Sequence, residues 1–157
     1  MNIPEERREY YVADPDHTFV GFDKTGAEAW FVAYKGLICT GDDSYAKILQ
    51  SGEKIHVWFM KRLAERLICP LGVEEISFQM SLKSEQRSEQ FKEWYFIAKK
   101  AVHAFSYGLG EIKFCKEVAK ETDGTVLVEA SVARRVKSAL YESISTIPKW
   151  QAAVVNH

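Results

Sequence analysis

"EEISFQMSLK", residues 74–83, decides what kind of fold this chain is read as. Apolar and polar side chains alternate through it without a break. Ile76, Phe78, Met80 and Leu82 fall on one side, and Ser77, Gln79 and Ser81 on the other. Successive side chains of a strand point to opposite faces, so this pattern predicts a strand near 75–82, apolar face buried and polar face solvated. Upstream, "HTFVGFDKTGAEAWFVAYKGLICTGDD", residues 17–43, is rich in aromatic and β-branched residues and is cut by Gly26, Gly36 and Gly41. It reads as a three-stranded antiparallel meander at about 18–23, 28–35 and 37–40. In the middle strand Trp30, Val32 and Tyr34 share one face, and Phe31 and Ala33 the other.

The remaining segments read as helices. A short one follows the capping residues Asp42, Asp43 and Ser44 and stops at Gly52. In "EKIHVWFMKRLAERLICPLG", residues 53–72, Ile55, Trp58, Phe59, Leu63 and Leu67 recur at spacings of three and four, an amphipathic helix ended by Pro70 and Gly72. From Ser84 a wide apolar stripe through Phe91, Trp94, Tyr95, Ala98, Ala101, Val102 and Phe105 predicts the longest helix, with two more over about 111–122 and 131–146. The expectation is therefore an α+β fold. A small antiparallel sheet, the meander plus the strand near 75–82, packs on several amphipathic helices. The 157 residues suit one domain, with a polar lead-in over 1–16 and a C-terminal tail over 147–157.

"KEVAKETDGTVLVEASVARRVKSAL", residues 116–140, has two readings. With Ala119 in a first helix and Gly124 in a turn, it resembles the helix-turn-helix family over about twenty-five residues. That resemblance implies a DNA-binding regulator with its reading unit near 112–140. The second helix would sit in the major groove, with Arg134, Arg135 and Lys137 as the DNA-binding residues. The other reading ends a helix at Thr122, turns at Asp123-Gly124, forms an edge strand over 125–129, and caps a last helix with Ser131. Val132, Val136, Ala139 and Leu140 would then face the core and the arginines would be solvated. Whether residues 125–130 are strand or helix is left open by sequence.

A net charge of −1 provides no global field toward nucleic acid or an anionic membrane, although residues 1–78 lean acidic and 79–157 lean basic. Cys39, Cys69 and Cys115 are scattered, which suits reduced thiols in a cytoplasmic protein better than a disulfide framework or a zinc site. The charged start "MNIPEERREYY" does not read as a signal peptide, and no run reaches the ~18 apolar residues of a membrane span. "DPDH", with Asp14, Asp16 and His17, reads as a polar turn, and His56 and His103 as partly buried structural histidines. No metal or other cofactor is expected, and no catalytic residue is nominated.

Four tryptophans and seven tyrosines exceed the needs of a small core, and such rings are enriched at binding hot spots. The sequence thus points to a non-enzymatic protein-binding domain, acting as an inhibitor, immunity or accessory protein. Its partner would be another protein, met through Trp30, Tyr34 and Trp150. The alternatives are the DNA-binding regulator and an enzyme whose dispersed site leaves no local trace. Oligomeric state is left open.

Overall fold

The computed structural model describes residues 26–155, and among them every regular element is helical. The chain forms α1 (Ala27–Thr40), α2 (Ser44–Gln50), α3 (Ile55–Glu65), α4 (Val73–Ser81), α5 (Glu89–Ser106), α6 (Glu111–Glu121), α7 (Ala130–Ser143) and α8 (Thr146–Val155). One 3-10 turn, Ser84–Gln86, leads into α5. The expected α+β architecture is therefore replaced by a helical one. The lead-in over 1–16, "DPDH" and the first expected strand, 18–23, lie outside the described residues.

The strand near 75–82 is α4, and its physics shows why alternation misled. Ile76 and Gln79, three apart, are the residues that α4 buries, while Phe78 is 58% exposed. A polar residue goes inward because its hydrogen bonds are made there. Gln79 Nε2 donates to Glu75 Oε1 at 2.7 Å, and Gln79 Oε1 accepts from the Ser88 backbone N–H at 2.9 Å. Arg87 then closes the end of α4: its Nε donates to the carbonyls of Gln79 and Leu82, and its Nη2 to that of Met80. Carbonyls at a helix end lose their ordinary intrahelical partners, although that of Gln79 still accepts the Leu82 N–H at 3.3 Å.

The second and third expected strands, 28–35 and 37–40, are the single helix α1, with Val32, Ala33 and Gly36 buried on one side. Gly36 is a contact point, not a turn. A Cβ built there would lie 2.1 Å from Thr146 Cγ2, so only glycine lets the start of α8 approach this closely. The edge strand over 125–129 is an irregular connection, anchored where the Val126 N–H donates to Thr122 Oγ1 at 3.1 Å. Most of the C-terminal tail, 147–157, is the helix α8. Pro148 sits in that helix's first turn, where its missing N–H costs no intrahelical bond.

The helices read from their three-and-four spacing hold the centre. Phe59, Met60 and Leu63 of α3, Ala98, Ala101 and Phe105 of α5, and Val136, Ala139 and Leu140 of α7 are all essentially inaccessible. The pairs α3–α5, α3–α7 and α5–α7 pack directly. From α6, Phe114 meets Phe105 at 4.7 Å between ring centroids. Helices α1 and α8 pack along each other, α1 also meets α5, and α2 rests on both α1 and α8.

A polar clasp fixes this second layer. Asp42, just after α1, accepts hydrogen bonds from Thr146 Oγ1 on Oδ1 and Ser145 Oγ on Oδ2, at 2.8 and 2.7 Å. Lys149 Nζ lies 2.5 Å from Oδ2, and the Ser44 N–H donates to Oδ1 at 2.9 Å. Lys149, with Ser44 and Ser145, holds the Asp42 carboxyl well below the usual carboxylate range. Adding a methyl at Gly36 should destabilise the fold by about 1–3 kcal/mol, the cost of overpacking a tight contact. In urea unfolding, Gly36→Ala is expected to lose stability and the double change Gly36→Ala/Thr146→Ser to recover part of it, because serine lacks the clashing methyl. Strict additivity of the two would refute the contact.

Candidate functional site

Two surfaces carry chemistry, and both are set by α1. The first is its outer side. Phe31, Tyr34 and Ile38 recur at three and four residues, so they form one strip, flanked by Leu37. They are 50, 60, 61 and, for Leu37, 39% exposed. Across residues 29–40 the only charged side chain is Lys35, whose Nζ sits 5.9 Å from the Phe31 ring centroid. A helix apolar on all sides is normally a buried one, and among the described residues α1 has only its inner side covered.

The second is a cleft of about 830 Å³ between α1, the α2–α3 connection and α5. Its apolar walls are contributed by Trp30 and Val32 of α1, Leu49 of α2, Ile55 of α3 and Phe96 of α5. Polar groups converge on it. His103 Nδ1 lies 2.9 Å from Glu28 Oε2, Lys100 pairs with Glu121, and Glu53 pairs with Lys61 at 2.7 Å. His56 Nε2 and the Tyr95 hydroxyl are 2.6 Å apart. Burial first, then the charges of Lys54 and Lys99, pushes His56 down to about 4, so the ring is neutral at pH 7. Tyr45 and Ser106 close the inner end, 1% and 3% exposed. Burial raises the Tyr45 phenol above its usual range, and the Ser106 hydroxyl, a hydrogen-bonding neighbour of that phenol, tempers the rise. Ser106 Oγ is itself fully buried and makes no hydrogen bond of ordinary length.

The residues singled out from sequence separate. Tyr34 is on the outer strip. Trp30 is half-buried and lines the cleft. Trp150, on α8, is half-buried, its ring edge-on to Tyr107 at 6.3 Å. On α7 Arg134 and Arg135 are exposed, and Arg135 Nη2 donates to the Leu67 carbonyl at 3.3 Å. Lys137 is partly buried, paired with Glu111 at 3.2 Å and lying over the Phe105 and Tyr141 rings. The α6–α7 connection spans 122–129, with Asp123 and Gly124 both in the left-handed region, longer than the about 3–4 residues of a helix-turn-helix turn. Sequence reasoning missed Phe31 and Ile38 because it placed them in strands. It missed the cleft because its residues come from five separate helices; Ser106 had no local signal at all.

Cys39 is exposed, Cys115 half-buried and Cys69 buried, the last with its thiol pushed up to about 11 by burial. Among the described residues no helix is long and apolar enough to cross a membrane, and no three potential ligand side chains cluster around a metal position. No protein-family model, curated protein or solved structure matches the chain.

His56 gives a pH test. Its folded value lies below the ordinary 6.5, so between about 6.5 and about 4 the unfolded chain binds the extra proton. The stability this neutral ring contributes is complete above that window and is lost as pH falls through it. Urea midpoints at several pH values should show the wild type losing more stability than His56→Gln as the pH drops from 7 to 4.5. Parallel curves would contradict the burial of a neutral ring.

Proposed function

We propose that the protein acts by binding another protein, without catalysis of its own, as an inhibitor, immunity or accessory protein. One observation carries this reading: the strip of Phe31, Tyr34, Leu37 and Ile38, uncovered among the described residues, on a helix whose other side is already packed. Contiguous apolar surface of this kind marks interaction sites, and large rings at its centre supply the binding energy. Lys35 beside the strip favours a partner that presents an acidic group within an apolar surface. It also disfavours a symmetric pairing of two copies through α1, which would bring Lys35 close to its own counterpart. Of the three residues nominated from sequence, Tyr34 is the one this reading retains at its centre; Trp30 lines the cleft, and Trp150 of α8 lies edge-on to Tyr107. The free thiols suit a cytoplasmic setting. The nucleic-acid reading draws less support, since Lys137 is engaged by Glu111 and the net charge is −1.

A photoreactive residue at position 34, introduced in the cell that makes the protein, should crosslink a specific protein. Reconstituted with that protein, Ile38→Glu should weaken binding at least tenfold while leaving the melting temperature unchanged, since Ile38 is mostly solvated. Arg134→Glu should leave binding as it is. A partner lost with Arg134→Glu but not with Ile38→Glu would overturn this reading, and so would a wild-type dimer that Ile38→Glu dissociates.

A further inference from the structure

Just past the end of α3 the backbone takes a conformation that its side chain does not favour. Leu67 has φ 53°, in the left-handed region. The turn is built as many helix ends are. The Leu67 N–H donates to the Ala64 carbonyl at 3.0 Å, and the Ile68 N–H to that of Leu63 at 2.9 Å. It returns Ile68 and Cys69 to the core. The left-handed position of this motif is ordinarily glycine, because a Cβ there crowds the following carbonyl. Every other left-handed residue among the described ones is glycine or aspartate, and aspartate tolerates the region. Leu67 gains nothing from packing, since it is 85% exposed. A single exposed leucine is ordinary. One held in a strained backbone with no burial in return stabilises nothing in the fold, and such strain collects at functional positions.

The charges around Leu67 leave one cation over. Arg62 pairs with Glu65, and Arg66 with Glu142, whose other oxygen accepts from Ser138 Oγ. Arg135 of α7 is exposed, and its Nη2 donates to the Leu67 carbonyl at 3.3 Å, so its guanidinium sits beside the leucine. Among the described residues Arg135 forms no ion pair. Its neighbours one turn away on α7, Ser131, Val132, Ser138 and Ala139, bring no carboxylate. Most of the five N–H donors of that guanidinium are therefore free. We propose that Leu67 and Arg135 form a protein-binding point of their own. There a partner protein takes the leucine into an apolar recess and sets a carboxylate against the guanidinium. Leucine stands where glycine would be more stable because the contact needs its side chain. Arginine suits the other half, since its planar fork matches a carboxylate in two parallel hydrogen bonds. Neither residue belongs to α1, and the proposal does not rest on the outer strip.

A photoreactive residue at position 67, introduced in the cell that makes the protein, should crosslink a specific protein. That protein, purified, is then titrated calorimetrically against the full chain and its variants. Leu67→Gly should raise the melting temperature by about 2–4 °C as the strain is relieved, and should weaken binding at least tenfold. Leu67→Ala keeps the strain, so it should weaken binding as much with no gain in melting temperature. Leu67→Met should leave both at their wild-type values. Arg135→Gln should weaken binding about 2- to 10-fold and flatten its dependence on salt. A melting temperature unchanged or lowered by Leu67→Gly would overturn the strain, and full binding by Leu67→Ala would overturn the role of the leucine. Indifference to Arg135→Gln would overturn the acidic partner group. Crosslinking of nucleic acid alone, or of nothing, would overturn the protein partner. All of these outcomes are read at positions 67 and 135, so a failure of the α1 strip leaves them standing.

Discussion

The carboxylate of Asp42 ties together parts of the chain about a hundred residues apart, and the position of α1 depends on it. Four donors converge on its two oxygens: the Ser44 N–H, the hydroxyls of Ser145 and Thr146, and Lys149 Nζ. Its side chain is only 9% exposed, so the charge is removed from most of its water. A buried carboxylate is tolerated only when its lone pairs are used, and here they are. Thr146 works twice over. Its hydroxyl joins Asp42 to Ser44, and its methyl presses on the backbone of α1 where Gly36 leaves room. The polar clasp and the close helix contact are one unit.

This unit explains how a helix with little polar surface is held in one place. An all-apolar helix packs on anything apolar, and burial alone specifies its orientation weakly, since the hydrophobic effect has no direction. The hydrogen bonds at Asp42 and the glycine contact supply that direction. They choose which side of α1 meets α5 and α8, and hence which side is left outside and which residues wall the cleft. Trp30 and Val32 reach the cleft, and Phe31, Tyr34 and Ile38 do not, because of that choice.

Legibility in the sequence followed the same division. Helices α3, α5, α6 and α7 have one apolar and one polar face and were located from sequence, but in α3 only Phe59 and Leu63 of the stripe read from spacing are buried, and Leu67 lies past the helix, 85% exposed. In α7, Val136, Ala139 and Leu140 are inward and the arginines outward, as periodicity implied. For α1 and α4 the rule fails for identifiable reasons. In α1 both faces are apolar, so no contrast exists to give a period, and aromatic and β-branched residues tip a short window toward strand. In α4 a mere seven residues alternate, and the polar one that goes inward, Gln79, does so through Glu75 and Ser88, partners no local pattern reveals. Gly36 read as a strand break because glycine breaks strands more often than it admits a neighbouring helix. The cleft was illegible on principle: its charged mouth joins Lys54 to Lys99, and its far end sets Tyr45 beside Ser106, pairs defined only by packing.

Helix α1 therefore serves the outer strip and the cleft at once, which raises the matter of whether occupation of one is felt at the other. Coupling needs two arrangements of the shared element and a different affinity for each. A shift of α1 relative to α8 would drive Thr146 into the backbone at Gly36 or pull Asp42 from Lys149 and Ser145, leaving a carboxylate short of partners in a site with little water. Both costs oppose intermediate positions. With the clasp closed, α1 has one seat. The same clasp fixes which side chains of α1 form the outer strip and which wall the cleft, with Tyr34 of the strip one helical turn from Trp30 of the cleft.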